Sequence, residues 1–379
     1  MLHWDDIVVG AGIIGLTHAY HLARRGRKVL VCERHAQAQG ASIRNFGMIW
    51  PIGQPVGELY DLALRSRAFW LMVLPAAGLW YAPVGSLHLA YHPDEAQVLY
   101  EFSEAAKTNG YRGIQVIPAF EVGARFSTVK PEGLRGAIFS PTELCVDPRE
   151  VIAKLPEYLA REWGVTFAFG AAVTMCEGGH VQFSDGGDAA GDVYICSGDD
   201  LTTLYPKAFA AMGLSRCKLQ MLRTEPIADN GQLGPMLAAG LTLRHYKSFA
   251  GCPTLPALKE RLIREMPEYE RYGIHVMASQ NGQGELTLGN SHEYDDAIEI
   301  FDKEEIDRLI LSYLSTFLNV EYRIASRWQG IYVKHPDKPF MVSRPEPHVT
   351  LVTAVGGAAM TLSFGLAERV VRENLEGVR

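Results

Sequence analysis

The chain has 379 residues, of which 47% are hydrophobic and 21% charged, with a formal net charge of -7. That length exceeds one simple core and predicts two domains, and the composition is that of a soluble globular protein. The acidic balance excludes nucleic acid as a bulk electrostatic partner but allows a small anionic ligand in a locally cationic cleft. Cys32, Cys145, Cys176, Cys196, Cys217 and Cys252 are scattered without a C-x-x-C pair. That spacing fits neither a zinc site nor a disulfide framework, so a reducing, cytoplasmic setting and no metal are expected. Asp5 and Asp6 stand where a signal peptide would be basic, and the glycine-interrupted apolar stretch 7–16 is far below a membrane span.

Ile7, Val8 and Val9 form a β-branched run of the kind found in a buried parallel strand. The run enters Gly10, Gly12 and Gly15 in G-x-G-x-x-G spacing, and Leu16, Ala19, Tyr20, Leu22 and Ala23 follow at helical spacing. Arg24, Arg25 and Gly26 supply the cations and glycine that end a helix. A second strand over 28–32 closes at Glu33, eighteen residues after Gly15. In this order Gly10 permits the turn, Gly12 lets backbone approach a pyrophosphate and Gly15 lets helix pack on sheet. Ile13 and Ile14 open the helix, whose free N–H groups and dipole suit phosphates. Glu33 can accept hydrogen bonds from an adenosine ribose, and its charge disfavours a ribose phosphate.

The next residues separate FAD from NAD. Glu33 and Arg34 lead to Gly40, Ala41 and Ser42, then to Arg44, Asn45 and Gly47. This E-R…G-A-S segment resembles the D-amino acid oxidase superfamily, which includes glycine oxidase and sarcosine oxidase. The resemblance implies that Ala41 and Ser42 pass the pyrophosphate and ribityl, and that Arg44, Asn45 and Gly47 lie near the isoalloxazine. A strand ending near Ser197 and Gly198 resembles the family's second cofactor-contacting strand, with Val173 nearby. The strand, glycine loop and helix over 349–363 match its flavin segment. Gly356, Gly357, Ala358, Met360 and Thr361 would there face the flavin pyrimidine edge, as Gly330 would face its ring. Within the superfamily, residues 44–54 look like a subgroup proposed to act in phosphonate catabolism on 2-aminoethylphosphonate-type amines. Sarcosine oxidases attach flavin through a late cysteine. None follows Cys252 here, so noncovalent FAD is expected.

The family's plan implies an α/β, Rossmann-like FAD domain that is discontinuous, from residues 1–82, 145–215 and 326–379. Pro148 after Asp147 marks a helix start inside it. Residues 83–144 and 216–325 would build an antiparallel-sheet substrate domain. Period-two patterns at 218–225 and 284–289 predict strands there, and helices are expected over 94–107 and 303–318.

Flavin enzymes of this kind remove hydride from a carbon beside an amine nitrogen, giving an imine that water hydrolyses, with oxygen or another acceptor reoxidising the flavin. The chain shows no serine nucleophile elbow, HExxH or paired-carboxylate motif. Its expected substrate is a small anionic amine, so cations in flavin-facing segments are candidates: Arg44, Arg223, Arg244, His245, Lys247, Arg327, Lys334 and His335. Arg44 is favoured by its segment, whereas Arg223 and Arg327 are equally readable as ion pairs. Lys247 or Lys334 could assist oxygen or be solvated surface lysines. Tyr246 and Tyr332 could meet substrate or pack, and Trp50 and Gln54 are pocket candidates. His292 reads equally as pocket or loop, and His275 as a satisfied structural histidine. Phe69, Trp70, Trp80 and Tyr81 read as core and domain packing.

Two other functions fit the same sequence. A flavin-dependent 2-hydroxy acid dehydrogenase would need a histidine base, from His245, His292 or His335. A non-catalytic flavoprotein subunit is opposed by the intact substrate domain. A monooxygenase is disfavoured by the lack of a second glycine-rich nucleotide motif. The oligomeric state is not legible.

Overall fold

The computed structural model describes residues 2–228, 231–295 and 297–377. Strand β1 (Leu2–Val9), helix α1 (Ile13–Ala23) and strand β2 (Val29–Glu33) follow the order their spacing predicts. Ile7, Val8 and Leu16 are fully buried, because the strand is covered on both faces. β1 and β2 sit in a five-strand parallel layer ordered Val349–Thr353, Asp188–Ile195, β1, β2, Thr166–Phe169. Helix Ala359–Glu376 packs on α1 and on helix Glu58–Ala76. Trp70 is fully buried against it and donates its indole N–H to the Met360 carbonyl at 2.9 Å. Phe69 is core as expected, while Trp80 is partly buried and packs over Gly282.

A second, nine-stranded sheet holds the other half of the molecule. Its long strand Ser215–Pro226 pairs antiparallel with Ile324–Lys334 and Glu285–Gly289. Met236–Ala238 beside Ser86–Ala90 is a parallel pair in this otherwise antiparallel sheet. Residues 326–334, grouped by sequence with the cofactor unit, run in this second sheet. Their pairing with Ser215–Pro226 reaches from Ser215 opposite Lys334 to Thr224 opposite Ile324. Helices Pro93–Asn109 and Glu304–Phe317 cover it within two residues of their expected bounds. A three-stranded sheet of Met48–Ile49, Leu144–Val146 and Tyr81–Ala82 joins the two halves. Helix Pro148–Trp163 starts where Asp147 accepts from the N–H groups of Arg149 and Glu150.

His18, His21 and His88 are buried, and desolvation pushes their pKa values down from 6.5 to about 4, about 3 and about 3. The folded chain therefore keeps these rings neutral where the unfolded chain binds protons. The stability they confer is complete above pH 6.5 and is lost as pH falls from there towards 4 for His18 and towards 3 for His21 and His88. We expect the melting temperature to drop across that window. His88→Phe should make stability shallower against pH by up to about 1.4 kcal/mol per unit in denaturant titrations. An unchanged slope would count against a buried neutral His88.

Candidate active site

The turn after β1 is built by the absence of side chains. Gly10 has φ +103°, and a Cβ there would lie 2.5 Å from the Cys196 carbonyl oxygen. A Cβ on Gly15 would lie 1.9 Å from the Gly10 carbonyl oxygen, closer than any packing allows. Glycine at both positions brings strand and helix into direct backbone contact and leaves the start of α1 facing a crevice. Gly10, Gly12, Ile14, Glu33, Arg34, Val173, Ser197 and Gly198 all line that crevice. Glu33 closes it, with one carboxylate oxygen accepting from Ala11 N–H at 3.0 Å and the other from His35 N–H at 3.1 Å. These bonds hold the carboxylate in place and leave lone pairs for a ribose. Arg34 is paired with Asp200 on the opposite lip.

The crevice shares Ala41, Ser42, Tyr332, Ala354, Val355, Gly356 and Ala359 with a cavity of about 460 Å³. Ser42 Oγ accepts from Ile13 N–H at 3.0 Å, so its own hydrogen is free to donate at this junction. The cavity brings together Arg44, Asn45, Trp50, Gln54, His245, Tyr246, Lys247, His292, Gly330, Tyr332, Lys334, His335, Gly356, Gly357, Ala358, Met360 and Thr361. Asn45 works as a loop brace: its amide donates to the carbonyls of Ala41 and Ser42 and accepts from Gly47 N–H. Gly47 does not reach the cavity. It packs against the chain at Val146, whose carbonyl oxygen would lie 2.0 Å from an added Cβ. Trp50 N–H donates to Thr361 Oγ1, tying the pocket wall to the last helix.

Three predicted anion binders turn away from this cavity. Arg244 pairs with Glu270 and donates to the carbonyls of Tyr269 and Ile274. Arg327 Nε lies 2.9 Å from Asp307. Arg223 sits 3.6 Å from Glu285 and borders a separate crevice with Arg327. Each is spent on an ion pair whose partner is distant in sequence. The cations left on the wall include Lys247 and Lys334, neither of which has a carboxylate partner among the described residues. Lys334 donates to the Tyr294 hydroxyl at 3.2 Å. Arg44 donates to the Gln329 carbonyl at 3.2 Å.

The sequence reading missed His275, Met48, Met221, Met277 and Asn290, all on the cavity wall. His275 is not a satisfied core histidine, because its buried Nδ1 has no hydrogen-bond partner. Alternation was the available signal: Ile274, Val276 and Ala278 are fully buried, and His275 and Met277 take the other face. His275 stacks on His245 at 3.9 Å between ring centroids, and His292 lies 4.6 Å from His245. Desolvation lowers the pKa of all three, that of His292 to about 4. Burial likewise raises the phenols of Tyr246 and Tyr332, keeping both protonated.

The family model for FAD dependent oxidoreductases matches residues 5–373. The chain belongs to this family. FAD is its cofactor, and the crevice and glycine walls fit it: the side-chain-free turn leaves room that a diphosphate would fill, and Glu33 keeps lone pairs that a ribose would use. Glycine oxidase of Geobacillus kaustophilus (strain HTA426) is 24% identical over 252 residues, 60% of this chain and 66% of that protein. The chain thus spans just under two thirds of that curated relative. The crystal structure of glycine oxidase from Geobacillus kaustophilus superposes with TM-score 0.78 at 18% identity, over 100% of this chain and 96% of that one. Iminodiacetate oxidase from Chelativorans sp. BNC1 gives TM-score 0.72 at 18% identity, over 98% and 95%. Both share the fold of this family member.

Gly15→Ala should yield protein with at least tenfold less bound flavin, read as the ratio of visible to ultraviolet absorbance. Wild-type flavin content in that variant would contradict the backbone contact between Gly10 and Gly15.

Proposed function

We propose that the protein oxidises a small anionic amine, an amino acid or an N-methylated aminoalkylphosphonate, with noncovalently held FAD and oxygen as acceptor. The observation carrying this reading is the cavity wall itself. Lys247 and Lys334 line the cavity that the glycine loop also lines, and Asp337 is the one carboxylate on that wall among the described residues. The wall is therefore cationic within an acidic protein, which suits a carboxylate or phosphonate head. None of the six cysteines lines this cavity among the described residues, which favours noncovalent binding. The fold neighbours named glycine oxidase and iminodiacetate oxidase support an amine substrate. The phosphonate head rests on the likeness of residues 44–54 to the phosphonate subgroup.

When bound, FAD accepts a hydride from the carbon beside the amine nitrogen and returns the electrons to oxygen as hydrogen peroxide. The protein's task is to hold the amine close with its nitrogen neutral. Lys334 and Lys247 hold the anionic head. Trp50 and Tyr246 stack at 6.2 Å between centroids and form an apolar flank that excludes water. Burial keeps the Tyr246 hydroxyl protonated, so it can donate but adds no charge beside the amine. The imine product then hydrolyses to an aldehyde or oxo acid and a released amine. The neutral histidines give specific support to a second reading, oxidation of a 2-hydroxy acid with an imidazole as base.

Anaerobic mixing with a panel of amines and hydroxy acids tests the two. Bleaching of the flavin by anionic amines, reversed with peroxide formation on adding air, is expected. Bleaching by hydroxy acids alone would replace the amine assignment. Lys334→Gln and Lys247→Gln should each raise KM for the anionic amine about 10- to 100-fold, the size of a lost charged hydrogen bond. Arg327→Gln, outside the cavity, should leave KM within about twofold. Unaltered KM in both lysine variants would refute a cationic head site.

A further inference from the structure

His245, His275 and His292 are separated by 30 and 17 residues and come from three different segments, yet their rings meet on one wall of the cavity. One ring nitrogen from each lies within 4.8 Å of the others. Their centroids are 3.9, 4.6 and 4.9 Å apart. From these nitrogens we infer a mononuclear site for a zinc-class divalent cation, held by three histidines with one coordination position open to the cavity.

The hydrogen bonds select a cation over an anion. His292 Nδ1 lies 2.9 Å from the Gly273 carbonyl oxygen, which can only accept. Nδ1 therefore carries the proton, and Nε2 of the neutral ring keeps a lone pair for a ligand. A carbonyl fixing one ring nitrogen while the other faces inward is the usual outer support of a metal-bound histidine. The buried Nδ1 of His275 has no partner in the protein, a cost that a bound cation would remove. His275 is itself anchored, because its backbone exchanges both hydrogen bonds with Asn290, at 2.8 and 3.2 Å. His245 faces the open cavity and is the ring with room to move.

Zinc–nitrogen bonds of about 2.0–2.1 Å place tetrahedral ligand nitrogens about 3.4 Å apart, so closing the site moves the nitrogens by at most about 1.4 Å and turns the rings, whose planes lie 18–37° apart, until their in-plane lone pairs converge. Neighbouring positive charges do not forbid this. Arg244 is neutralised by Glu270, and Lys334 is held at the Tyr294 hydroxyl. Together with the cation, Lys334 favours an anionic fourth ligand, which would be an oxygen of the substrate's acidic head. That last identification rests on the amine reading above, whereas the three-histidine site does not.

The test uses the full FAD-loaded protein, stripped with a chelator and titrated with Co2+. We expect ligand-field bands at wavelengths beyond the flavin absorption, saturating at one equivalent and displaced by Zn2+. One equivalent of zinc should then survive desalting in elemental analysis, and methylphosphonate should shift the cobalt bands. His275→Ala should lose at least tenfold in metal affinity, with retained flavin absorbance reporting an intact fold. If that variant does not fold, His245→Ala, at a cavity-exposed ring, should show the same loss. Wild-type protein that keeps neither metal, or folded variants that bind it as wild type does, would overturn the site. One equivalent of metal in a protein whose flavin no amine bleaches would sustain the site and defeat the amine reading. Bleaching by amines in protein that binds no metal would do the reverse.

Discussion

Between the first strand and the first helix, backbone touches backbone with nothing interposed. The Gly10 carbonyl sits where a Gly15 side chain would begin, and the Cys196 carbonyl sits where a Gly10 side chain would begin. These contacts set the height of α1 above the parallel layer, and so the direction in which its free N–H groups point. Ser42 and Glu33 are then hydrogen-bonded to Ile13 and Ala11 at the same helix entrance. A methyl group at either glycine would shift all of these together. The crevice owes its shape to the close approach, and the larger cavity opens from its end.

The cavity is walled by strands of the nine-stranded sheet and by the loop and helix start that follow Val349–Thr353. Its charge follows from where the arginines go. Arg244, Arg327 and Arg223 lie beside Glu270, Asp307 and Glu285, leaving Arg44 and lysines such as Lys247 and Lys334 to carry the positive charge on the wall. A lysine ammonium is a compact point charge on a flexible stem, suited to a head group that arrives and departs.

Legibility in the sequence followed the range of the interaction. The nucleotide turn was readable because its strand, glycines, helix and acid lie within 33 residues and each acts on its neighbours. Helix 148–163 was readable from Asp147 and Pro148 for the same reason. The arginine roles were not, since no local pattern tells that Arg327 meets Asp307 or Arg244 meets Glu270. Arg223 shows the limit well. It shares the strand face of Leu219 and Met221, which line the cavity, but lies past the cavity's edge. Residues 326–334 were grouped by resemblance with the cofactor unit, while their hydrogen bonds place them beside Ser215–Pro226. His275 was legible in principle from alternation, but only a folded chain sets it against His245 and His292.

The pairing of Val349–Thr353 with Asp188–Ile195 bears on how the molecule is made. The ribosome delivers β1 and β2 well before Val349–Thr353, so the parallel layer gains this strand only after the strands of the second sheet have emerged. Until then the flank of Val193–Ile195 lies open, and α1 lacks the helix Ala359–Glu376 that packs on it. The layer around β1 is therefore completed after the second sheet. Between those events the nascent chain carries an unpaired strand edge, the condition that invites misassembly.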